Sequence, residues 1–467
     1  MKKMGQKREI TEKTSLFYLA GPMFLEMFLN ILLNNVDTLM LSRFSENAVG
    51  AVGNANQVMN LLILMFGIIS TATAVVVAQY LGAKRYEKMN MIYTLVLIVN
   101  FVFGFVLSML LVAAKAPCMQ LLRVSDEMMP DALAYINLVG GFLFLQACYN
   151  VMNQILRCNG HTKVGMYISL VINLINIAGN YLFLYGPLKF LDFGVKGVAL
   201  STVTARIIAL VIALVVFYRF GIGKISVKLL RPFPGKLLLQ MIRIGLPSAG
   251  ESMSYNLYQL VLLSFVNSMG NDAVNARIYC NSLISFANVF SNSVAMATQI
   301  VTGHLVGADN EDGAYQRVMD SLKMSLPITI GLAGINWILS PYTLRLFTDN
   351  ERIIEIAFWV MLVDIVLEVG RCMNMTFVCS LKAAGDYVFP LLVGLMTMWG
   401  LGATAGYAFG IAAGIGVAGV FMGTATDECI RGLIVMHRWR SGKWRGKSIV
   451  EKSQQVEMGE NEGQKGI

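Results

Sequence analysis

The chain has 467 residues, 56% of them hydrophobic and only 14% charged, with a formal net charge of +9. That is too apolar for an ordinary soluble enzyme and points to a bilayer as solvent. The positive charge follows from its distribution along the chain, given below, and is no reason to expect nucleic-acid binding.

A hydrocarbon core of about 30 Å asks for roughly 20 apolar residues per helix. Twelve such stretches, bounded by charge or turn residues, fall at 15–41, 52–78, 91–114, 132–156, 165–185 and 195–219, then at 238–268, 281–302, 318–340, 353–378, 387–410 and 413–436. Lys2, Lys3, Lys7 and Arg8 precede the first run as they would a secretory signal. The run is too long for one, carries Glu26 and Asp37 and has no small-residue cleavage site, so it reads as a retained span. Seven cysteines are scattered singly, without the spacing of a metal site or a disulfide framework.

About two thirds of the 37 Lys and Arg residues fall in the two termini and the even-numbered loops, among them Lys84, Arg85, Lys88, Lys224, Lys228, Arg231 and Lys236. The odd-numbered loops hold few, including Arg43, Lys115, Arg123, Lys189 and Arg345. Both termini are therefore expected to be cytoplasmic. The expected layout is a basic N-terminus over 1–14, a six-helix N-lobe over 15–219, a linker over 220–237, a six-helix C-lobe over 238–436 and a basic tail over 437–467. The linker, with Pro232 and Pro234, reads as a loop with a short amphipathic helix, and Ser448 to Ile467 as disordered.

The halves are copies. Gly21 to Glu26 recurs as Leu246 to Glu251, Leu81-Gly82-Ala83 as Val306-Gly307-Ala308, and Gly160 as Gly385, all at an offset of 225; Gly194 to Val198 recurs as Gly416 to Val420 at 222. Six spans is an even number, so both copies enter the membrane in the same direction and a pseudo-twofold axis lies along the membrane normal. The fold expected is all-α and polytopic, two parallel six-helix repeats around a central cavity.

The run Pro22 to Phe44, centred on Val36-Asp37-Thr38-Leu39-Met40, resembles the first-helix signature of the multidrug and toxic compound extrusion family. The likeness continues through Gln79 to Ala83, Gly245-Leu246-Pro247, Leu381 to Asp386 and Arg440 to Trp444, covering about residues 15 to 447. It implies a monomeric, cofactor-free exporter in the cell membrane that expels organic cations against a sodium or proton gradient. Many relatives carry Asn-x-x-x-Asp in the fifth span; here Asn176 is followed by Asn180, which weakens a proton relay built on two acids in the N-lobe.

Ionisable groups near a bilayer centre cost roughly 2.5–3.5 kcal/mol each on insertion scales and need a reason. Glu26 and Glu251 sit one turn after Pro22 and Pro247 in matching repeat positions, where a freed carbonyl and a carboxylate could together form a cation site; the plainer reading is pairing with a base. Asp37 has Leu262 as its counterpart and is a candidate for the cation or proton step of the N-lobe, or else a partner of Arg43. Asp364, Glu368 and Arg371 share one helical face, and since Arg371 neutralises only one acid fully, Asp364 is the preferred exchangeable group. Sodium would be held at Glu251 and Asp364. Asp427 and Arg431, four apart, read as a structural pair.

Candidate cavity-lining residues are Asn150, Asn153, Asn176 and Asn180 in the first half and Tyr255, Asn256, Gln259, Asn281 and Asn288 in the second. Gly402, Gly406, Gly410 and Gly414 repeat every four residues and read as a packing stripe. His161, His304 and His437 fall near predicted cytoplasmic ends, where solvation or capping is expected. The expected mechanism is antiport: a proton, a sodium ion and the cationic substrate compete for a buried carboxylate while the lobes rock. A flippase for lipid-linked sugars would call for a basic cavity, whereas intramembrane acids outnumber bases here, and no nucleophile–base pair or metal cluster marks an enzyme.

Overall fold

The computed structural model describes residues 10–12, 14–187, 190 and 193–450. The basic stretch through residue 9, Lys189 and residues 451–467 lie outside it. The described chain forms twelve helical spans: α1 Leu16–Phe44, α2 Glu46–Gly82, α3 Tyr86–Leu121, α4 Met129–Gly140 with Leu143–Cys158, α5 Thr162–Leu184, α6 Gly194–Arg219, α7 Gly235–Asn267, α8 Asn271–Gly307, α9 Glu311–Thr343, α10 Glu351–Ala383, α11 Val388–Ala412 and α12 Val417–Arg440. Seven are long and apolar enough to cross a membrane unaided, and the bent α4 makes eight. The four that fall short, α7, α8, α10 and α12, carry the polar interior of the second half. The outer surface is the reverse, with Leu110, Leu174, Val215 and Ile338 each more than half exposed, as expected of side chains facing lipid.

Local chemistry sets the ends. Ser45 caps α2 by accepting from the Ala48 N–H, Asn310 caps α9 through the Gly313 N–H, and Asn350 caps α10 through the Arg352 N–H. The fourth helix of each half stops at a glycine with positive φ, Gly160 at 79° and Gly385 at 94°, the two positions the repeat had paired. Several helices outrun their apolar stretch; α8 begins at Asn271, ten residues before the apolar run, so Arg277 lies inside the helix. The linker holds only a four-residue 3₁₀ turn, Val227–Leu230, in place of an amphipathic helix.

The repeats are not identical. α4 bends by 42° after a π-turn at Ile136–Gly140, whereas its counterpart α10 is unbroken. In α11, wide π-turns at Met398–Ala403 and Ala408–Ala412 carry Gly402 and Gly410 of the glycine stripe. Gly402 lies against the Tyr258 hydroxyl, Gly406 against Leu262 and Gly410 against Val420, while Gly414, at φ 72°, ends the helix with nothing packed on it.

Packing divides the bundle by height. One buried apolar cluster takes side chains from both halves, including Leu16, Tyr93, Phe217, Val301, Phe377 and Trp439, at the end of the bundle that holds residues 10–12, 14–15 and 440–450; that end is called the terminal face below. Toward the other end the core splits in two, one cluster within each half. The lobes thus join at the terminal face and part toward the opposite face. α1 packs on α8 and α2 on α7 across the boundary, with the Phe24 and Phe28 rings 6.2 and 5.8 Å from Phe290 and Phe286.

Residues 441–450 are seated on the terminal face. Trp444 stacks on Trp439 at 4.1 Å, Lys447 and Arg438 both pair with Asp386, and Ser448 Oγ and the Ile449 N–H donate to Gln79 of the first half at 3.1 and 2.8 Å. The expected disorder from Ser448 onward is therefore corrected for Ser448 to Val450: Gln79 supplies a buried acceptor that the local polar composition cannot reveal.

Candidate transport site

Each lobe holds a polar cavity between its first, second, fourth and sixth helices, with the fifth helix added to the wall in the N-lobe. The N-lobe cavity measures about 810 Å³ and is lined by Asn34, Asp37, Asn56, Gln146, Asn150, Asn153, Asn176, Thr202 and Arg206 among others. The C-lobe cavity is about 190 Å³ and is lined by Tyr255, Gln259, Leu262, Arg277, Asn281, Asn288, Arg371 and Thr424 among others. The two are the same pocket built twice: Asn34, Asn56 and Gln146 correspond to Gln259, Asn281 and Arg371 at the 225 offset, and Thr202 to Thr424 at 222. Their charges differ. Asp37 stands where the C-lobe has Leu262, and Arg277 stands where the N-lobe has Val52. Of the expected lining residues, Asn180 and Asn256 lie in neither cavity lining; Asn256 bonds back to Ser252 of its own helix.

Asp37 accepts a hydrogen bond from Asn180 Nδ2 at 2.8 Å, so the fifth-span amide, and not Arg43, is its partner. An amide there donates at any pH, and Asp37 needs no second acid to share a proton with. Arg206, in α6, donates to the Val139 carbonyl at 3.5 Å.

Glu26 and Glu251 take the plainer of their two readings. Arg157 lies 2.8 Å from Glu26, and Asn153 donates to the other oxygen at 2.7 Å; Lys382 lies 2.7 Å from Glu251. Arg157 and Lys382 are themselves separated by 225 residues, so the ion pair was duplicated with the fold. Holding a sodium ion at Glu251 would require displacing the paired ammonium of Lys382. The 225 spacing relates the two bases, but both lie just beyond the apolar runs that end at 156 and 378.

Buried acids and bases in the C-lobe interior nearly balance. Glu251 pairs with Lys382, Glu368 with Arg371, and Asp427 and Glu428 with Arg431 at 2.7 and 3.3 Å; Asn374 also donates to Glu428 at 2.7 Å. Asp364 is left over. It is fully buried and neither carboxylate oxygen has a hydrogen-bond partner, although it lies one turn from the Glu368–Arg371 pair. The remaining base is Arg277, within hydrogen-bond reach only of Gln259.

At the terminal face the lobes interlock about the pseudo-twofold axis. A Cβ on Gly82 would lie 1.9 Å from the His304 carbonyl oxygen, and one on Gly307 would lie 2.0 Å from that of Gln79. Only glycine permits α2 and α8 to cross this closely. His304 is buried and bonds to the Cys158 carbonyl at the C-terminal end of α4 in the other lobe, so of solvation and capping it is solvation that fails; His161 stacks on Phe220 at 4.5 Å and His437 is exposed.

The MatE family profile matches the chain twice, at residues 22–182 and 247–408, so that both matches begin at the repeated prolines. The chain is 36% identical to the uncharacterized transporter YisQ of Bacillus subtilis, over 96% of this chain and 99% of that one. It is 23% identical to the probable multidrug resistance protein NorM of Thermotoga maritima, over 97% and 98% of the two chains. Among solved structures, a MATE protein in the bent conformation superposes with a TM-score of 0.87 at 20% identity, covering 96% of this chain and 100% of the other. Twelve helices in two parallel repeats, the matching profile and the full-length relatives lead to one conclusion: this chain belongs to the MatE family of multidrug and toxic compound extrusion transporters.

Proposed function

We propose that this transporter expels amphipathic organic cations from the cell in exchange for sodium ions or protons, by alternating access between its two lobes. The terminal face is cytoplasmic in this reading, because the Lys and Arg bias of the sequence falls on that side. The observation that carries the proposal is Asp364: a wholly buried carboxylate with two unpartnered oxygens is costly unless something neutralises it. A proton, a sodium ion or a cationic solute can each do so, and competition among them is the minimal chemistry of an antiporter.

The bases beside Asp364 already have carboxylates, since Arg371 is held by Glu368 and Arg431 by Asp427 and Glu428. Asp427 and Glu428 share one base but are both in contact with it, so Asp364 is the one acid of the group whose two oxygens have no hydrogen-bond partner. Release of the interlock at Gly82 and Gly307 would open the cytoplasmic side, and its re-formation would close it. Several relatives are named probable multidrug resistance proteins, which agrees with export of this kind.

The test is efflux of ethidium from proteoliposomes under a sodium gradient alone and then a proton gradient alone. Dependence on one gradient, lost in Asp364→Asn, is expected. Gradient-independent efflux, or unchanged coupling in the variant, would sink the reading.

A further inference from the structure

Residues 445–450, the strap that follows α12, lie along the C-lobe and reach across the lobe boundary at the terminal face. On the C-lobe, Arg445 pairs with Asp312 at 2.6 Å, the Gly446 N–H donates to Glu311 at 2.8 Å, Lys447 pairs with the buried Asp386 at 2.7 Å, and Gln240 donates to the Ile449 carbonyl at 3.0 Å. On the N-lobe the polar contact is Gln79, whose Oε1 accepts from Ser448 Oγ at 3.1 Å and from the Ile449 N–H at 2.8 Å. Gln79 is fully buried, so no water replaces these bonds while the face is shut.

The duplication supplies no second strap. Tyr86, His161 and His304 line a cavity of about 600 Å³ at the terminal face, and their counterparts at the 225 offset, Glu311, Asp386 and Gln79, each hold the strap. At the 222 offset the strap corresponds to residues 223–228 of the linker, which turn onto their own lobe: the Lys224 and Ser226 N–H groups donate to Asn90 and Thr94 of α3 at 2.8 and 3.2 Å. The N-lobe folds with its recess unstrapped, so the integrity of the repeat does not account for the strap on the other side.

We propose that residues 445–450 are a latch: mounted on the C-lobe, they close onto Gln79 and bias the transporter toward the state shut at the terminal face. This rests on the alternating access proposed above. Gln79 lies one turn before Gly82 on α2, and the crossing of α2 with α8 at Gly82 and Gly307 has to part when that face opens. Gln79 then leaves with the N-lobe while Ser448 and Ile449 stay with the C-lobe, so both bonds break together. The strap keeps its seat through the opening, because Trp439, Asp312, Glu311 and Asp386 all belong to the C-lobe, and it closes again without refolding. Two neutral hydrogen bonds to a buried amide favour the shut state on the order of tenfold.

Pulsed EPR in detergent between spin labels at Lys163 and Val388 reads the opening. Both positions are exposed, lie at the starts of α5 and α11 and are paired by the 225 offset. Ending the chain at Trp444, which keeps the stack on Trp439, should raise the ratio of open to shut populations on the order of tenfold, and Ile449→Pro, which removes one of the two donors, about threefold. The melting temperature should stay close to that of the full chain in both, and ending the chain at Val450, which spares the strap, should change neither quantity. Ile449→Pro decides the matter alone if the shorter truncation does not fold. Unchanged distances, a lowered melting temperature without a gain of the open population, or equal opening on ending the chain at Val450 would overturn the latch. Failure of gradient-driven efflux would instead count against the export reading, because the distances need neither gradient nor solute.

Discussion

Gln79 and His304 are 225 residues apart, and each reaches across the lobe boundary to the same place in the opposite half. Gln79 Nε2 donates to the Ala383 carbonyl at 2.6 Å and His304 Nε2 bonds to the Cys158 carbonyl at 2.8 Å; Cys158 and Ala383 are also 225 apart. A carbonyl only accepts, so the imidazole carries its proton on Nε2. His304→Gln should therefore preserve the clasp by copying its counterpart, whereas His304→Ala should lose about 1–2 kcal/mol from the closed terminal face. Pulsed EPR between labels at Ala83 and Ala308 checks this: the distance distribution should broaden toward longer values in His304→Ala and stay put in His304→Gln.

The duplicated ion pairs should behave as structural elements. With side-chain exposures of only 5% and 8% for Glu26 and Arg157, Glu26→Gln leaves a buried guanidinium without its counter-charge, at a cost of about 3–5 kcal/mol. Combining it with Arg157→Gln should recover most of that loss, and the Glu251 and Lys382 pair should follow the same pattern. Thermal melting of single and double variants in one detergent reads the coupling. Equal losses from each change, adding in the double variant, would contradict it.

Asp364 should respond in the opposite sense. Since its carboxylate has no partner, Asp364→Asn removes an uncompensated charge and should leave the melting temperature unchanged or raised while abolishing gradient-driven efflux. The same melting and efflux assays separate this outcome from the instability expected of Glu251→Gln.

Trp444 anchors the seated C-terminal segment through its stack on Trp439 and an Nε1 bond to the Trp439 carbonyl at 2.8 Å. Trp444→Ala should cost about 3–5 kcal/mol, and Trp444→Phe distinctly less. Limited proteolysis around Lys447 is the second readout, with faster cleavage expected in the alanine variant.

Much of this was legible in the chain. Apolar runs of membrane-spanning length, the 225 and 222 offsets and the family-like motifs were enough for twelve spans, two parallel lobes and the family, because helix-forming periodicity, turn glycines and internal repetition are local or one-dimensional properties. They also brought Asp37, Asp364 and the Glu368–Arg371 set into view, since a charge within an apolar run is visible without coordinates.

What only the tertiary structure decided is which of those charges are matched. Glu26 and Arg157 are 131 residues apart, and Asp37 and Asn180 are 143, so no helical spacing relates them; packing alone brings each pair together and leaves Asp364 and Arg277 out. Arg277 precedes the apolar run because polar residues fill the first turns of α8, and the burial of His304 depends on α2 crossing α8 with two glycines against carbonyls in the other half. Burial and pairing are properties of three-dimensional neighbours, and in a bilayer they decide whether a charged residue is a brace or a site.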